Sequence, residues 1–275
     1  MVLDLNINKD LNIFKSTNSG SSANVFQFEN GYIKLLIVEN GDTVVASTVS
    51  ILSGQELVLI VDNLFQTLNL IELKIILNQG SKLTIVEQNN SELQENLIID
   101  QAENSFFRYQ KLYKSSGKST LTINQNGKNC QTEIQNIVLG SNINLEINQK
   151  IEQNSEEQKL EHRTKFVLDK NSDVLITHSG RSSITSTNCI INQKIKGIIL
   201  GLDSKVEMQP ILEIDSDTST SNHGASVGEF DRNEIFYLRS RGLSLAQTQK
   251  ILVDSFLNDF YDEVEPICVR ENWRG

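Results

Sequence analysis

The chain has 275 residues, of which 38% are hydrophobic and 22% charged, and 25 Lys and Arg stand against 35 Asp and Glu for a formal net charge of −10. This composition excludes a disordered chain, and the acidic balance excludes the domain-wide basic footprint that nucleic-acid binding needs. Only 2 residues are Pro, so no rigid proline linker divides the chain, and a chain of this size can bury about 75% of the surface its unfolded form exposes.

The first stretch, Met1–Phe14, alternates apolar residues with Asn, Asp and Lys and has no continuous apolar core. It matches neither a signal peptide nor a membrane span, and the expected location is the cytoplasm. Three cysteines, Cys130, Cys189 and Cys268, form no Cys-x-x-Cys pair, which fits a reducing compartment and buried thiols acting as small hydrophobes.

From about residue 24 to 215 short runs alternate apolar and polar residues, as in Lys34–Val38, Leu57–Val61, Leu83–Val86 and Ile143–Ile147. Period two over four to eight residues predicts strands, and the Asn40-Gly-Asp42, Asn78-Gln-Gly-Ser81 and Asn126-Gly127 clusters between them predict corners. A Ser-centred phrase recurs at Ser53, Ser81, Ser141, Ser172 and Ser204, with steps of 28, 60, 31 and 32 residues, while the stretch Lys118–Ile123 falls off that register. A degenerate period near 30 in an all-strand chain predicts a stacked β-solenoid, with a β-sandwich of regular turns as the alternative.

The pattern changes near residue 229. Asp231-Arg-Asn-Glu234 has capping-box spacing, and Arg239, Arg241 and Gly242 mark the carbonyl end of a short helix. Ser244-Leu-Ala-Gln247 repeats the box, and Leu252, Val253, Phe256, Leu257 and Phe260 make an i, i+4 stripe on a second helix of about four turns that Pro266 terminates. So small a hairpin must pack on the β body, on a partner, or on both.

Several chemistries find no support. Gly117-Lys-Ser-Thr120 has the tail of a phosphate-binding loop, but Leu112 stands where the first Gly belongs and Leu-Thr-Ile follows where a helix should start. His162, His178 and His223 have no Cys or second His at zinc-ligand spacing, and His162 and His178 read as surface histidines. The acid and base residues of a glycan-cleaving β-helix are not phased with the repeat. The chain is read as no enzyme.

The segment Pro210–Gly242 is of another quality. It runs from Pro-Ile-Leu-Glu-Ile214 through His223-Gly-Ala-Ser-Val-Gly228 to Phe236-Tyr-Leu-Arg-Ser-Arg-Gly242, and it resembles in order and spacing the signature of the SufB/SufD family of iron–sulfur cluster assembly scaffolds. Leu175–Gly180 and Ile191–Gln193 are weakly similar to earlier coils of that family, and nothing ahead of residue 160 aligns. His-Gly-Ala at 223–225 is similar to the SufD branch, where SufB-like members carry His-Glu-Ala; Ser221 stands where many relatives have a cysteine, and the family's helical N-terminal region is nearly absent.

The resemblance implies an all-β core folded as a right-handed parallel β-helix, with a small C-terminal α-helical domain. It divides the chain into a short N-terminal segment 1–23, a core 24–228, and a helical domain 229–275 that docks the SufC ATPase. It implies SufB and SufC as partners, neither nucleic acid nor membrane, and a transient iron–sulfur cluster shared with SufB and ligated by His223; FADH2 occurs in some complexes of the family. Phe236, Tyr237, Arg239, Arg241, Leu252 and Phe256 are the expected partner-binding residues. The alternatives are a self-associating homodimer and a shortened family member with a different client.

Overall fold

The structure is a computed structural model that describes residues 2–5, 13–17, 23–29, 32–38, 45–51, 53–63, 69–89, 92–201 and 203–263, with side chains described within 50–258. In chain order the strands are β1 (Val2–Leu5), β2 (Ile13–Thr17), β3 (Ala23–Glu29), β4 (Tyr32–Val38), β5 (Val45–Ile51) and β6 (Glu56–Asn63). They continue with β7 (Asn69–Leu77), β8 (Lys82–Asn89), β9 (Leu93–Gln101), β10 (Phe106–Tyr113), β11 (Gly117–Gln125) and β12 (Gln131–Ser141). The last are β13 (Asn144–Gln153), β14 (Lys159–Asp169), β15 (Asp173–Ser182), β16 (Ile190–Ile199), β17 (Lys205–Ile214) and β18 (Thr220–Gly228), followed by α1 (Arg232–Ser240) and α2 (Leu245–Glu263).

From β5 onward successive strands alternate between two sheets. One runs β1-β5-β7-β9-β11-β13-β15-β17 and the other β18-β16-β14-β12-β10-β8-β6-β4-β3-β2. All neighbours pair in parallel except β2–β3 and β3–β4, so the chain winds a parallel β-helix of about six turns. Strand structure begins at Val2, well ahead of residue 24, and β1 already pairs with β5. No helix among the described residues is long and apolar enough to cross a membrane.

Alternation explains the core. In β13, Leu145, Ile147, Gln149, Ile151 and Gln153 face inward and are buried. Each inward residue meets its counterpart about 4.8 Å away in the next coil, so the lumen is filled by columns of side chains. One corner of six successive coils, from the β5–β6 turn to the β15–β16 turn, passes through a left-handed residue: Gly54, Gly80, Asn104, Asn129, Glu157 and Asn188 all have φ between 55° and 71°. These positions stack, and the N–H of each coil's turn residue donates to the next coil, as Gly80 to Glu103 O and Asn104 to Lys128 O, both at 2.9 Å. Gly and Asn tolerate that conformation, which is why they punctuate the repeat.

The period is not constant. Lys82, Phe106, Gln131, Lys159, Ile190 and Thr220 occupy one column, giving coils of 24, 25, 28, 31 and 30 residues. The serine phrase therefore mixes positions. Ser172 and Ser204 stack, with Ser172 N donating to Ser204 Oγ at 3.2 Å, but Ser141 lies two residues out of that column and Ser81 belongs to the opposite corner. Lys118–Ile123 is not out of register at all; it lies in β11, paired along its length with β9 and β13.

The helices form as their caps predict. Asp231 accepts from Asn233 N at 2.8 Å, while Ser244 and Gln247 close a reciprocal capping box at 3.3 and 2.9 Å. Helix α2 lies on the outer face of the second sheet, where Leu257 is buried with Val86, Leu112 and Ile137, and Val253 and Phe256 pack beside them. Burying a side chain such as Leu257 contributes about 1.5–3 kcal/mol, which holds the helix to the solenoid. Phe260 has no described side chain, and Pro266 and Cys268 lie outside the described residues.

Candidate functional site: the terminal coil and its helices

Strands β17 and β18 end their sheets, so each pairs on one side only. The sequence places them there because Asp215–Ser219 turns the chain through the last corner, with Asp215 N bonded to Ser182 O at 2.9 Å and Thr220 N to Cys189 O at 2.8 Å. In β18, Ser221, His223, Ala225 and Val227 are the register partners of Ile191, Gln193, Ile195 and Gly197, all inward-facing and buried in β16. Yet every residue of β18 is exposed, because among the described residues no further coil stacks on it. Across the lumen Leu212 and Ile214 of β17 pack on one core cluster and Val206 and Met208 on the other. Among the described residues the result is an uncapped end with open backbone edges, Val227 at 49% and Ile211 at 39% exposure, and a single imidazole.

His223 thus stands on the final strand in the column of His162 and Gln193. Among the described residues no group of three or more His, Cys, Asp and Glu is arranged to hold a metal ion. One imidazole supplies one ligand, so a cluster bound at His223 needs donors from another chain. Ser221, two residues earlier, offers a hydroxyl in the position of the thiol found in many relatives. Cys130 and Cys189 cannot replace it: both are buried in coil corners, Cys130 Sγ contacts Gly127 O at 3.1 Å and Cys189 Sγ contacts Ser155 O at 3.2 Å, and burial pushes both thiols up.

The expected partner-binding residues separate into two groups. Phe236 and Tyr237 on α1 are 75% and 55% exposed, Arg241 lies 5.2 Å from the Tyr237 ring, and Arg239 is exposed in the helix's last turn. Phe256 is half-buried against Lys165 and Lys196, whose ammonium groups lie 4.7 and 5.7 Å from its ring, and Leu252 is half-buried too. Leu245 and Ile251, at 47% and 44% exposure, are apolar residues that α2 leaves outward.

The lumen holds polar groups that the sequence reading missed. Lys111 of β10 is fully buried, 2.9 Å from Glu87 and in contact with Glu95, which also accepts from Ser119. Burial, then the Glu87 charge, raise the Glu95 carboxyl to about 7, while burial alone would pull the Lys111 ammonium down and the two carboxylates more than offset it. His162 and His178 are not at the surface; both are fully buried, their rings stacked with centroids 3.4 Å apart, and burial drives His162 well below the ordinary range and His178 to about 3. The signal was the phase: Leu160, His162, Thr164 and Phe166 share one face while Glu161, Arg163 and Lys165 share the other. Lys111 likewise keeps step with Phe107, Tyr109 and Tyr113.

Residues 74–256 match the sequence model of the family described as SUF system FeS cluster assembly, SufBD core domain. The chain belongs to the SufBD family. Its relatives include the iron–sulfur cluster assembly protein SufD of Escherichia coli, 39% identical over 59 residues, and the SufBD family protein slr0076 of Synechocystis, 30% identical over 69. Those stretches are 22% and 25% of this chain but 14% and 15% of the relatives. The chloroplastic protein ABCI7 of Arabidopsis thaliana is 22% identical over 135 residues, 43% of this chain and 28% of that protein. The matches thus span less than a third of each of these proteins' lengths. The SufBD family assembles iron–sulfur clusters, and the likeness to SufD agrees with His-Gly-Ala at 223–225. The phosphate-loop-like Gly117–Thr120 is, in this SufBD chain, part of β11, where Lys118 pairs with Glu146 at 2.8 Å.

Proposed function

We propose that the chain is a non-catalytic SufD-type subunit of a cytoplasmic cluster-assembly complex. Its uncapped end pairs with a SufB-type partner, and its helical unit holds a SufC-type ATPase. The observation that carries this reading is the pair of open edge strands, β17 and β18, at the end of a SufBD core. An unpaired edge is a ready template for another chain's strand, and backbone hydrogen bonds across it bring two β-helices end to end. His223 then faces the junction and contributes one imidazole nitrogen to the nascent cluster, while the partner supplies the remaining ligands, thiolates foremost. FADH2 enters only as a component of the whole complex.

The ATPase docks on α1 through Phe236, Tyr237, Arg239 and Arg241, with Leu252 and Phe256 supporting the helices from within. Large exposed aromatics flanked by arginine have the makeup of interface hot spots. The same two open edges also suit a second copy of this chain across a two-fold axis, so a homodimer, or a shortened family member with a different client, is the second reading.

Co-expression with SufB-type and SufC-type proteins, followed by affinity purification and native mass measurement, tests these readings. Recovery of all three proteins together is the expected result. A chain recovered only as its own dimer favours the second reading, and recovery of a monomer in the presence of both partners overturns the first.

A further inference from the structure

The lumen just inside the terminal coil is not closed by its own hydrogen bonds. His162, His178 and Gln193 are 0%, 0% and 3% exposed, and among the described residues the Nδ1 of each imidazole and both ends of the Gln193 carboxamide lack a partner. These groups adjoin. The two rings stack, Gln193 is the register partner of His162 one rung on, and Gly180 opposite leaves the space that Gln193 fills, since a Cβ at 180 would lie 2.8 Å from Gln193 Nε2. Buried polar groups are nearly always satisfied, so four unmet atoms in one place call for an occupant.

The surrounding network says what kind. Asn136 and Gln149 bond reciprocally, with Asn136 Nδ2 donating to Gln149 Oε1 at 2.7 Å and Gln149 Nε2 to Asn136 Oδ1 at 3.3 Å. Gln149 Oε1 therefore faces His162 Nε2, 2.6 Å away, as an acceptor. His162 carries its proton on Nε2, and its Nδ1 is a bare lone pair. Thr164 Oγ1 accepts from Asn136 Nδ2 at 3.0 Å and lies 2.9 Å from His178 Nε2, a contact in which either group can donate. With the hydroxyl as the donor, the proton of His178 sits on Nδ1. The unmet set is two acceptors, His162 Nδ1 and Gln193 Oε1, and two donors, His178 Nδ1–H and the Gln193 amide.

We propose that this cell is an internal hydration site for one ordered water, which donates to His162 and Gln193 Oε1 and accepts from His178 and Gln193 Nε2. Two donors and two acceptors are water's own complement. A transition-metal ion suits the cell poorly, because it needs lone pairs and one of the two imidazoles presents a proton instead. The water bonds β14, β15 and β16 to one another one rung inside His223. This site is independent of any partner at the open end.

Solution NMR on the intact isolated chain, with ¹⁵N-labelled histidine, tests it. The expected result is opposite tautomers for His162 and His178 and magnetisation transfer from water to both rings, with the transfer lost in Gln193→Leu and in Gly180→Ala, whose added methyl displaces Gln193. Because the wild-type spectrum is itself decisive, unfolding of either variant does not spoil the test. Identical tautomers, no transfer from water in the wild type, or a stoichiometric metal by elemental analysis would each overturn the proposal.

Discussion

The Lys165 ammonium lies 4.7 Å from the centre of the Phe256 ring and also donates to that residue's carbonyl oxygen, tying β14 to α2. Phe256 is thus engaged within the chain, and its replacement acts on the seat of α2 before it acts on any partner. Phe256→Asp is expected to lower stability by about 1–3 kcal/mol, read as a shifted urea midpoint. The double variant Phe236→Asp, Tyr237→Asp changes only exposed side chains, so it should abolish capture of a SufC-type ATPase while the thermal midpoint stays within a degree or two. Wild-type capture by that double variant sinks the docking surface on α1.

The buried imidazoles and Glu95 together set a pH optimum for stability. His178 titrates near 3 in the fold and 6.5 unfolded, and His162 is also depressed, so the unfolded chain binds more protons below 6.5 and stability falls as pH drops. Glu95 acts in the opposite sense: its carboxyl is at about 7 folded and 4.5 unfolded, so the fold holds the extra proton and stability declines as pH rises between those values. Below 6.5 the two depressed histidines together outweigh the one raised carboxyl, so net stability falls with pH there. The maximum is expected near pH 6.5, and His178→Asn should flatten the acid limb. A urea series across pH checks this; stability that keeps rising steeply from pH 6.5 to 7 contradicts it.

Gly197 exists to admit a ring. A Cβ there would come within 2.2 Å of Phe166, fully buried one rung away. Gly197→Ala should cost about 1–3 kcal/mol, as overpacking typically does, and Phe166→Leu in the same chain should return part of it. Additive losses in the double variant, measured by denaturant titration, would show that the two side chains do not collide.

His223→Ala should leave the thermal midpoint and complex assembly near wild type, because the residue is exposed and its strand is held by the β16 ladder. Iron, sulfide and visible absorption of the anaerobically purified complex should fall. Equal loading in the two complexes would leave His223 as an ordinary residue of the junction.

Much of this was legible in the chain. Ser244 and Gln247 announce their capping box by spacing alone, and Pro210–Gly242 carries enough ordered signature to point to the family. Other features were hidden for physical reasons. A serine before an apolar pair marks a corner without saying which of two, so Ser81 and Ser172 looked equivalent although they start strands of different sheets. The histidines were misplaced because polarity was weighed residue by residue. The alternation of Leu160, His162, Thr164 and Phe166 decides their direction, and burial of a polar side chain follows from the face it stands on. Phe256 obeys the same lesson, since an apolar stripe on a short helix does not tell whether its own solenoid or another protein covers it.

The uneven coils bear on how the chain can change over time. Outside β1–β5 and the antiparallel β2–β3 and β3–β4 pairs, each ladder contact joins residues only 24 to 32 positions apart, and each coil touches chiefly the one before and the one after. Such a body is additive in the sense of a stack: residues inserted at a corner lengthen one circuit without disturbing the register two circuits away. Excising a whole circuit, for instance Phe106 through Cys130, would bring Gln131 onto Lys82 with alternation intact. Length along the axis is therefore a quantity the fold can gain or lose in units of one turn, while the open face at β17 and β18 is carried along unchanged.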